Sequence, residues 1–265
     1  MMQLFSLHEG SIAHQLTQTR ERVRNAPADA DLRARLFQLS AVQGDWPRAA
    51  EQLRLSAELN PRARASALLY DGAVRAEQRR SAVFAGESEP DFLGAAQPWQ
   101  RLLVQALREP AERAAATRAE ALAEASACAG RLTLAAGETP HAFTWLCDGD
   151  SRLGPVCELI VGDRYLWAPM SALRSVRLLA PQGLADLVWA QAELVTAEGR
   201  TLAALVPARY PARAGGEPLE DALQLGRITQ WEPLGEDLYA GVGQKMWMTD
   251  EGEYALLDLR AMELD

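Results

Sequence analysis

An offset of 34 residues repeats along the first part of this chain, and few folds tolerate such a period. Gly10 and Gly44 stand that far apart, as do Pro27 and Pro61, and in each unit the glycine precedes the proline by 17 residues. Aligned at that offset, Phe5 meets Leu39, Leu7 meets Ala41, Ile12 meets Trp46 and Leu16 meets Ala50, so apolar positions fall on apolar positions. A period of about 34 is that of tetratricopeptide repeats, antiparallel helix pairs that cannot bury their apolar faces alone and so stack on their neighbours.

The second unit shows the local chemistry best. Leu32, Leu36 and Leu39 form an apolar stripe, and Gly44 offers the positive φ that ends a helix. Asp45 is placed to cap the next helix, with Pro47 in the first turn, where a missing N–H costs nothing. Ala49, Leu53 and Ala57 make the facing stripe, and Asn60-Pro61 restarts the pattern. The spacing predicts helices and no strand within 28–58, with turns near Gly10 and Gly44 and with Pro27 and Pro61 near helix starts. Beyond Pro61 the period is lost but the helical texture continues. Ala63, Ala67, Tyr70, Val74 and Phe84 fit one face of a long helix ending near Gly86, and Pro98–Arg108 and Pro110–Gly130 read as two more.

Near Gly130–Pro140 the texture changes. Glycine and proline number 12 in residues 1–130 and 21 in 131–265, and five of the seven tryptophans fall in the later part. Period-two alternation marks strands at Val156–Val161, Tyr165–Met170, Leu202–Val206, Ile228–Trp231, Met246–Met248 and Tyr254–Leu259, separated by turn formers such as Gly162-Asp163. The expected fold class is therefore α+β in two domains. A helical, TPR-like superhelix would occupy 1–133, and a strand-rich domain, an antiparallel sheet or small barrel, would occupy 134–265.

Charge narrows the partners. Residues 1–130 carry 16 acidic and 16 basic side chains, whereas 131–265 carry 20 and 11, so the net charge of -9 lies entirely in the second part. An acidic surface repels phosphate backbones, which argues against nucleic acid and anionic lipid. No apolar run is long enough for a membrane span, and the N-terminus lacks a basic, then apolar, export signal. Cys128, Cys147 and Cys157 contain no CxxC pair and read as reduced thiols of a cytoplasmic protein.

Catalytic and metal motifs are missing. His8 and His14 are six apart, not the i, i+4 spacing that sets two imidazoles on one metal. Asp148-Gly149-Asp150 opens like a calcium loop, but Leu153 and Leu159 stand where glycine and glutamate are needed, so the aspartates read as turn formers. Gly241-Val242-Gly243 lacks the third glycine of a phosphate loop and reads as a bulge or close turn. Glu158, a carboxylate on a strand beside Cys157, reads as a solvated face or a paired structural group. No catalytic residue, metal site or cofactor is expected.

Ordered blocks along the chain nevertheless carry a resemblance. Gly44-Asp45-Trp46, Phe84-Ala85-Gly86, the run from Asp148-Gly149-Asp150 to Val156-Cys157-Glu158 and Tyr165-Leu166-Trp167-Ala168-Pro169 come first. Asp186-Leu187-Val188-Trp189, Pro207-Ala208-Arg209-Tyr210-Pro211, Gly226-Arg227-Ile228-Thr229-Gln230-Trp231 and Gly241-Val242-Gly243-Gln244-Lys245 follow. In this order they resemble the ImpE/TagJ family of type VI secretion accessory proteins. The chain departs from the family at Lys245 and Gln230, where arginine and aspartate are expected. The resemblance implies a non-catalytic adaptor of the contractile sheath. It would bind an N-terminal helix of the small sheath subunit and be linked to the AAA+ unfoldase that recycles contracted sheaths.

A helical array suits that role, because its concave side can hold a partner helix by a few apolar anchors. Tyr70, Val74 and Trp99 are the candidate partner-binding residues, against the plainer reading that all three are interhelical core. The alternative function is a small-ligand sensor, with a pocket in the second domain walled by its tryptophans.

Overall fold

The computed structural model describes residues 11–137, 139–211 and 219–265. Six helices come first: α1 (Ile12–Asn25), α2 (Ala30–Gln43), α3 (Trp46–Leu59), α4 (Arg64–Phe84), α5 (Pro98–Ala106) and α6 (Ala111–Glu124). The caps are those the sequence offers. Ser11, Asp29 and Asp45 accept backbone N–H groups at the starts of α1, α2 and α3. Gly44 ends α2 at φ +75°, Pro47 lies in the first turn of α3, and the Asn60 side chain caps a single turn at Pro61–Ala63 that runs into α4. Residues 28–58 contain helix and turn only, as the spacing predicts. Pro27 sits in the turn just ahead of α2, and Gly10 lies outside the described residues. Short connections turn each helix back on the one before, so α1, α2, α3 and α4 pack in succession.

The strands are β1 (Asp91–Phe92), β2 (Gly130–Leu134), β3 (His141–Phe143), β4 (Leu146–Asp148), β5 (Val156–Val161), β6 (Arg164–Pro169) and β7 (Leu173–Leu178). They continue with β8 (Trp189–Thr196), β9 (Thr201–Pro207), β10 (Thr229–Gly235), β11 (Leu238–Gly243), β12 (Met246–Thr249), β13 (Glu253–Ala255) and β14 (Leu259–Leu264), and a short helix α7 (Asp221–Gln224) precedes β10. Nine strands form one sheet in the order β1-β6-β5-β9-β8-β7-β14-β2-β3, while β10-β11 and β13-β12-β4 make two small ones. The molecule is α+β. Among the described residues the large sheet is open, not a barrel, and it is mixed: β1, contributed by the α4–α5 connection, pairs parallel with β6. After α6 the first strand, β2, begins at Gly130.

Around β5, β6, β8 and β9 both faces of the sheet are covered, and strand parity sorts the side chains. Val156, Ile160, Tyr165, Trp167 and Trp189 belong to a core shared with α1–α5. Cys157, Leu159, Leu166, Ala168 and Leu194 point to a second core with Trp247, Leu256 and Leu259. The first core thus runs unbroken from the helices into the sheet. Gly72 makes the closest approach possible: a Cβ there would lie 2.3 Å from the Gly162 carbonyl oxygen in the β5–β6 turn, so only glycine lets α4 sit down on the sheet.

Candidate functional site

Helix α4 carries two sites that differ in kind. Its C-terminal half lies on the sheet and brings charge into the interior. Parity turns Glu158 of β5 toward α4, where Arg80 donates to it twice, at 2.6 Å from Nε and 3.0 Å from the second amine nitrogen. Lys245, between β11 and β12, reaches the same carboxylate at 2.7 Å and Asp148, the last residue of β4, at 2.6 Å. Tyr165 adds a fourth donor to Glu158 at 2.5 Å and accepts from the Trp167 indole at 2.7 Å. Arg80, Glu158, Lys245 and Asp148 are all at most 2% exposed.

Further pairs surround this centre. Glu77 accepts from the Trp189 indole at 3.1 Å and lies 3.4 Å from Arg80. Asp150 holds Arg152 in a fork and takes the Gly241 N–H, while Arg152 lies over the Phe84 ring. Tyr210 donates to Asp148 at 3.0 Å. Arg209 meets carbonyls instead of a carboxylate: those of Ala41 and Val42 at the end of α2 and of Gln224 at the end of α7, the negative poles of two helices.

The electrostatics follow from burial and pairing. Burial works against ionised Glu158, but Arg80 and then Lys245 outweigh it and hold the carboxyl well below the usual carboxylate range. Burial likewise opposes the charges on Arg80 and Lys245, yet Glu158 with Glu77 raises the first, and Asp148 with Glu158 raises the second. Asp148 is different: burial pushes it up to about 6, with Lys245 only partly opposing. Burial lowers Arg209 to about 10 and raises the thiols of Cys147 and Cys157 to about 12, which leaves them unreactive near neutrality. Glu158 is thus the paired structural group of the two readings given for it. Asp148 and Asp150 do shape their turn, and both are also ion-pair partners.

Within this cluster the carboxylates of Glu77, Asp148, Asp150 and Glu158 are matched by cations, and among the described residues no group of three or more His, Cys, Asp or Glu could hold a metal. A cavity of about 820 Å³ lies beside the cluster, between the α2–α3 turn and α7, and is lined in part by Trp46, Glu77, Arg80, Arg209 and Gln224. Trp46 is the one tryptophan among its described lining residues. Trp167, Trp189 and Trp247 are core instead.

The N-terminal half of α4 is the reverse. Leu68 is 73% exposed, and Leu69 and the nearby Leu59 of α3 are also open to solvent. Leu68 edges a groove of about 540 Å³ between α3 and α4, floored by Ala50, Leu53, Ala57 and Ala67. Glu51, Arg54, Arg64 and Asp71 rim it. Alanines at the floor let another backbone come close, and contiguous exposed apolar surface marks interaction sites more often than chance. The sequence-derived candidates do not line this groove. Val74 is 2% exposed and Trp99 8%, both in the shared core. Tyr70 packs on Phe37 and Trp189 and donates to Asp186 at 3.4 Å. The plainer, interhelical-core reading is the one the packing matches for all three. Leu68, missed from sequence, falls on a different face of α4 from the stripe that contains Tyr70 and Val74.

Fold and surface together define an α+β protein with a self-satisfied ionic interior and an open apolar groove on its helical side. Residues 140–263 match the model of the family described as ImpE protein. Over 98% of the chain and 89% of the relative, it is 44% identical to the "Type VI secretion system accessory component TagJ" of Pseudomonas aeruginosa. A crystal structure of protein VPA1032 from Vibrio parahaemolyticus superposes with a TM-score of 0.84 at 23% identity, covering 96% of this chain and 94% of that one, a likeness of fold. The chain belongs to the ImpE/TagJ family of type VI secretion accessory proteins.

Proposed function

We propose that this protein is a non-catalytic, cytoplasmic adaptor that holds an amphipathic helix, from the N-terminal region of the small contractile-sheath subunit, in the α3–α4 groove. On this reading α1–α4 act as a TPR-like array in a helical unit of residues 1–133, set on a strand-rich unit of 134–265. Contact with the AAA+ unfoldase of sheath recycling would follow from presenting the sheath helix. The observation that carries the proposal is the groove itself, which no described residue fills. The outermost face of a helical array is normally polar, because nothing stacks on it, whereas here Leu68 stands in water above a floor of alanines. A helix laid in such a groove is held by apolar anchors at i, i+3/i+4 and i+7, with binding energy concentrated in a few of them.

The test is fluorescence anisotropy of a labelled sheath-subunit helix against the full chain. The full chain is required because helices and sheet share one core. Saturable binding is expected, and Leu68→Asp should weaken it by roughly 2 kcal/mol or more, about thirtyfold. No binding at tens of micromolar removes the proposal. A second reading, a small-ligand sensor, draws support from the cavity of about 820 Å³, a size that suits a metabolite. A thermal-shift screen separates the two: a sensor is stabilised by a metabolite, an adaptor by the peptide.

A further inference from the structure

The exposed face of α4 is complementary to itself. Arg64, Ala67, Leu68 and Asp71 fall at i, i+3, i+4 and i+7 and share one side of the helix, and all four border the groove. A basic residue stands at one end of this two-turn stretch and an acidic one at the other, with the exposed leucine near the midpoint. Arg64 has no ion pair among the described residues, and Asp71 pairs only along its own helix, with Arg75 at 2.9 Å and in solvent. An antiparallel copy of the same face, turned about a two-fold axis between Ala67 and Leu68, sets Arg64 against the second copy's Asp71 and repeats the contact in reverse. The same operation brings each Leu68 toward the other copy's alanine-floored groove. Contacts made twice by one rotation are the mark of an isologous dimer. A parallel arrangement would oppose like charges.

We propose that the free protein forms a two-fold dimer through the N-terminal half of α4, and that this dimer covers the α3–α4 groove. Two unsatisfied features, the exposed leucine and the unpaired arginine, are resolved by the same partner. A consequence that rests on the helix-docking proposal is competition, in which a partner helix must displace the second copy.

Sedimentation equilibrium of the full chain, with no peptide present, tests the dimer across the micromolar range. Wild-type protein should be dimeric, and L68D should be monomeric with an unchanged circular-dichroism spectrum. D71R, which sets arginine against Arg64 across the axis, should be monomeric too. The double swap R64D/D71R restores opposite charges and should regain the dimer. A monomeric wild type, a dimeric L68D or a double swap that stays monomeric overturns the inference. A monomeric wild type that still binds the peptide would sink only the dimer, and a dimer that ignores the peptide would sink only the docking proposal.

Discussion

The two halves of helix α4 invert the usual rule of burial. Its first turns, Arg64–Asp71, hold leucine in water, while its last turns bury Glu77 and Arg80. The difference lies in what each half faces. The later half, seated by Gly72, meets the sheet and finds a carboxylate, a lysine, two indoles and a phenol placed to receive charge. The earlier half touches the sheet through Tyr70 on one side, and none of the described helices or strands covers its groove side. A buried charge that is fully matched locks one arrangement of helix and sheet, because every alternative leaves an ion stranded. An exposed leucine adds little to folding, and beside a contiguous apolar groove it is surface open to a partner. On the proposed reading the same helix is a fixed strut at one end and a docking edge at the other.

The contrast can be broken most forcefully at Glu158. Replacing it with Gln leaves Arg80 and Lys245 buried without their shared counter-charge, and the expected loss is about 3–5 kcal/mol in denaturant unfolding. A loss below about 1 kcal/mol would mean the cluster is no lock. Gly72→Ala comes next. With a carbonyl 2.3 Å from the new Cβ, α4 must lift from the β5–β6 turn, at a cost of roughly 1–3 kcal/mol by the same assay.

Acid provides a third, subtler probe. Asp148 has its folded pKa raised to about 6 by burial, so the native state binds that proton more tightly than the unfolded chain. Stability should therefore rise as pH falls from about 6 toward 4, with a slope of at most about 1.4 kcal/mol per pH unit. Glu158, depressed below its ordinary value, acts in the opposite sense: its contribution is present above about pH 4.3 and is lost below it. Asp148→Asn should remove the rise and leave the acid limb. The smallest stability effect is expected at Leu68, where Leu68→Asp should change unfolding of the monomer by no more than about 0.5 kcal/mol while weakening helix binding about thirtyfold.

Local chemistry was the legible part of this fold. Gly44, Asp45, Pro47 and Asn60 act through their own backbone neighbours, and the helix ends they mark stand where the spacing puts them. Val156–Val161 was legible because it alternates by two and the turn formers Gly162-Asp163 close it. Strand β8, Trp189–Thr196, was not expected, since its alanines and glutamate favour helix and only the pairing with β7 and β9 makes it a strand. Strand β7 hides its alternation behind a register shift between Leu173 and Ser175. The ionic cluster has no local signature at all: Arg80 and Glu158 are 78 residues apart, and Lys245 and Asp148 are 97 apart. A hint lay in the one lysine among 26 arginines, and in the resemblance blocks, which hold Asp148, Glu158, Trp167, Arg209, Tyr210 and Lys245. Anchors were sought among aromatic and branched residues, and those types went to the core. The groove is recognisable only once α3 and α4 are known to pack side by side with Leu68 at their edge.

Hydrogen–deuterium exchange of the full chain, diluted until it is monomeric, with and without the sheath-subunit helix, tests the division of α4 directly. Backbone amides of α3 and of Arg64–Asp71 should gain protection on binding, while those of Gly72–Phe84, already held by the buried ion pairs, should not change. Protection gained instead around the α2–α3 turn, Arg209 and α7, with Arg64–Asp71 unaffected, would contradict the account and place the binding site at the cavity.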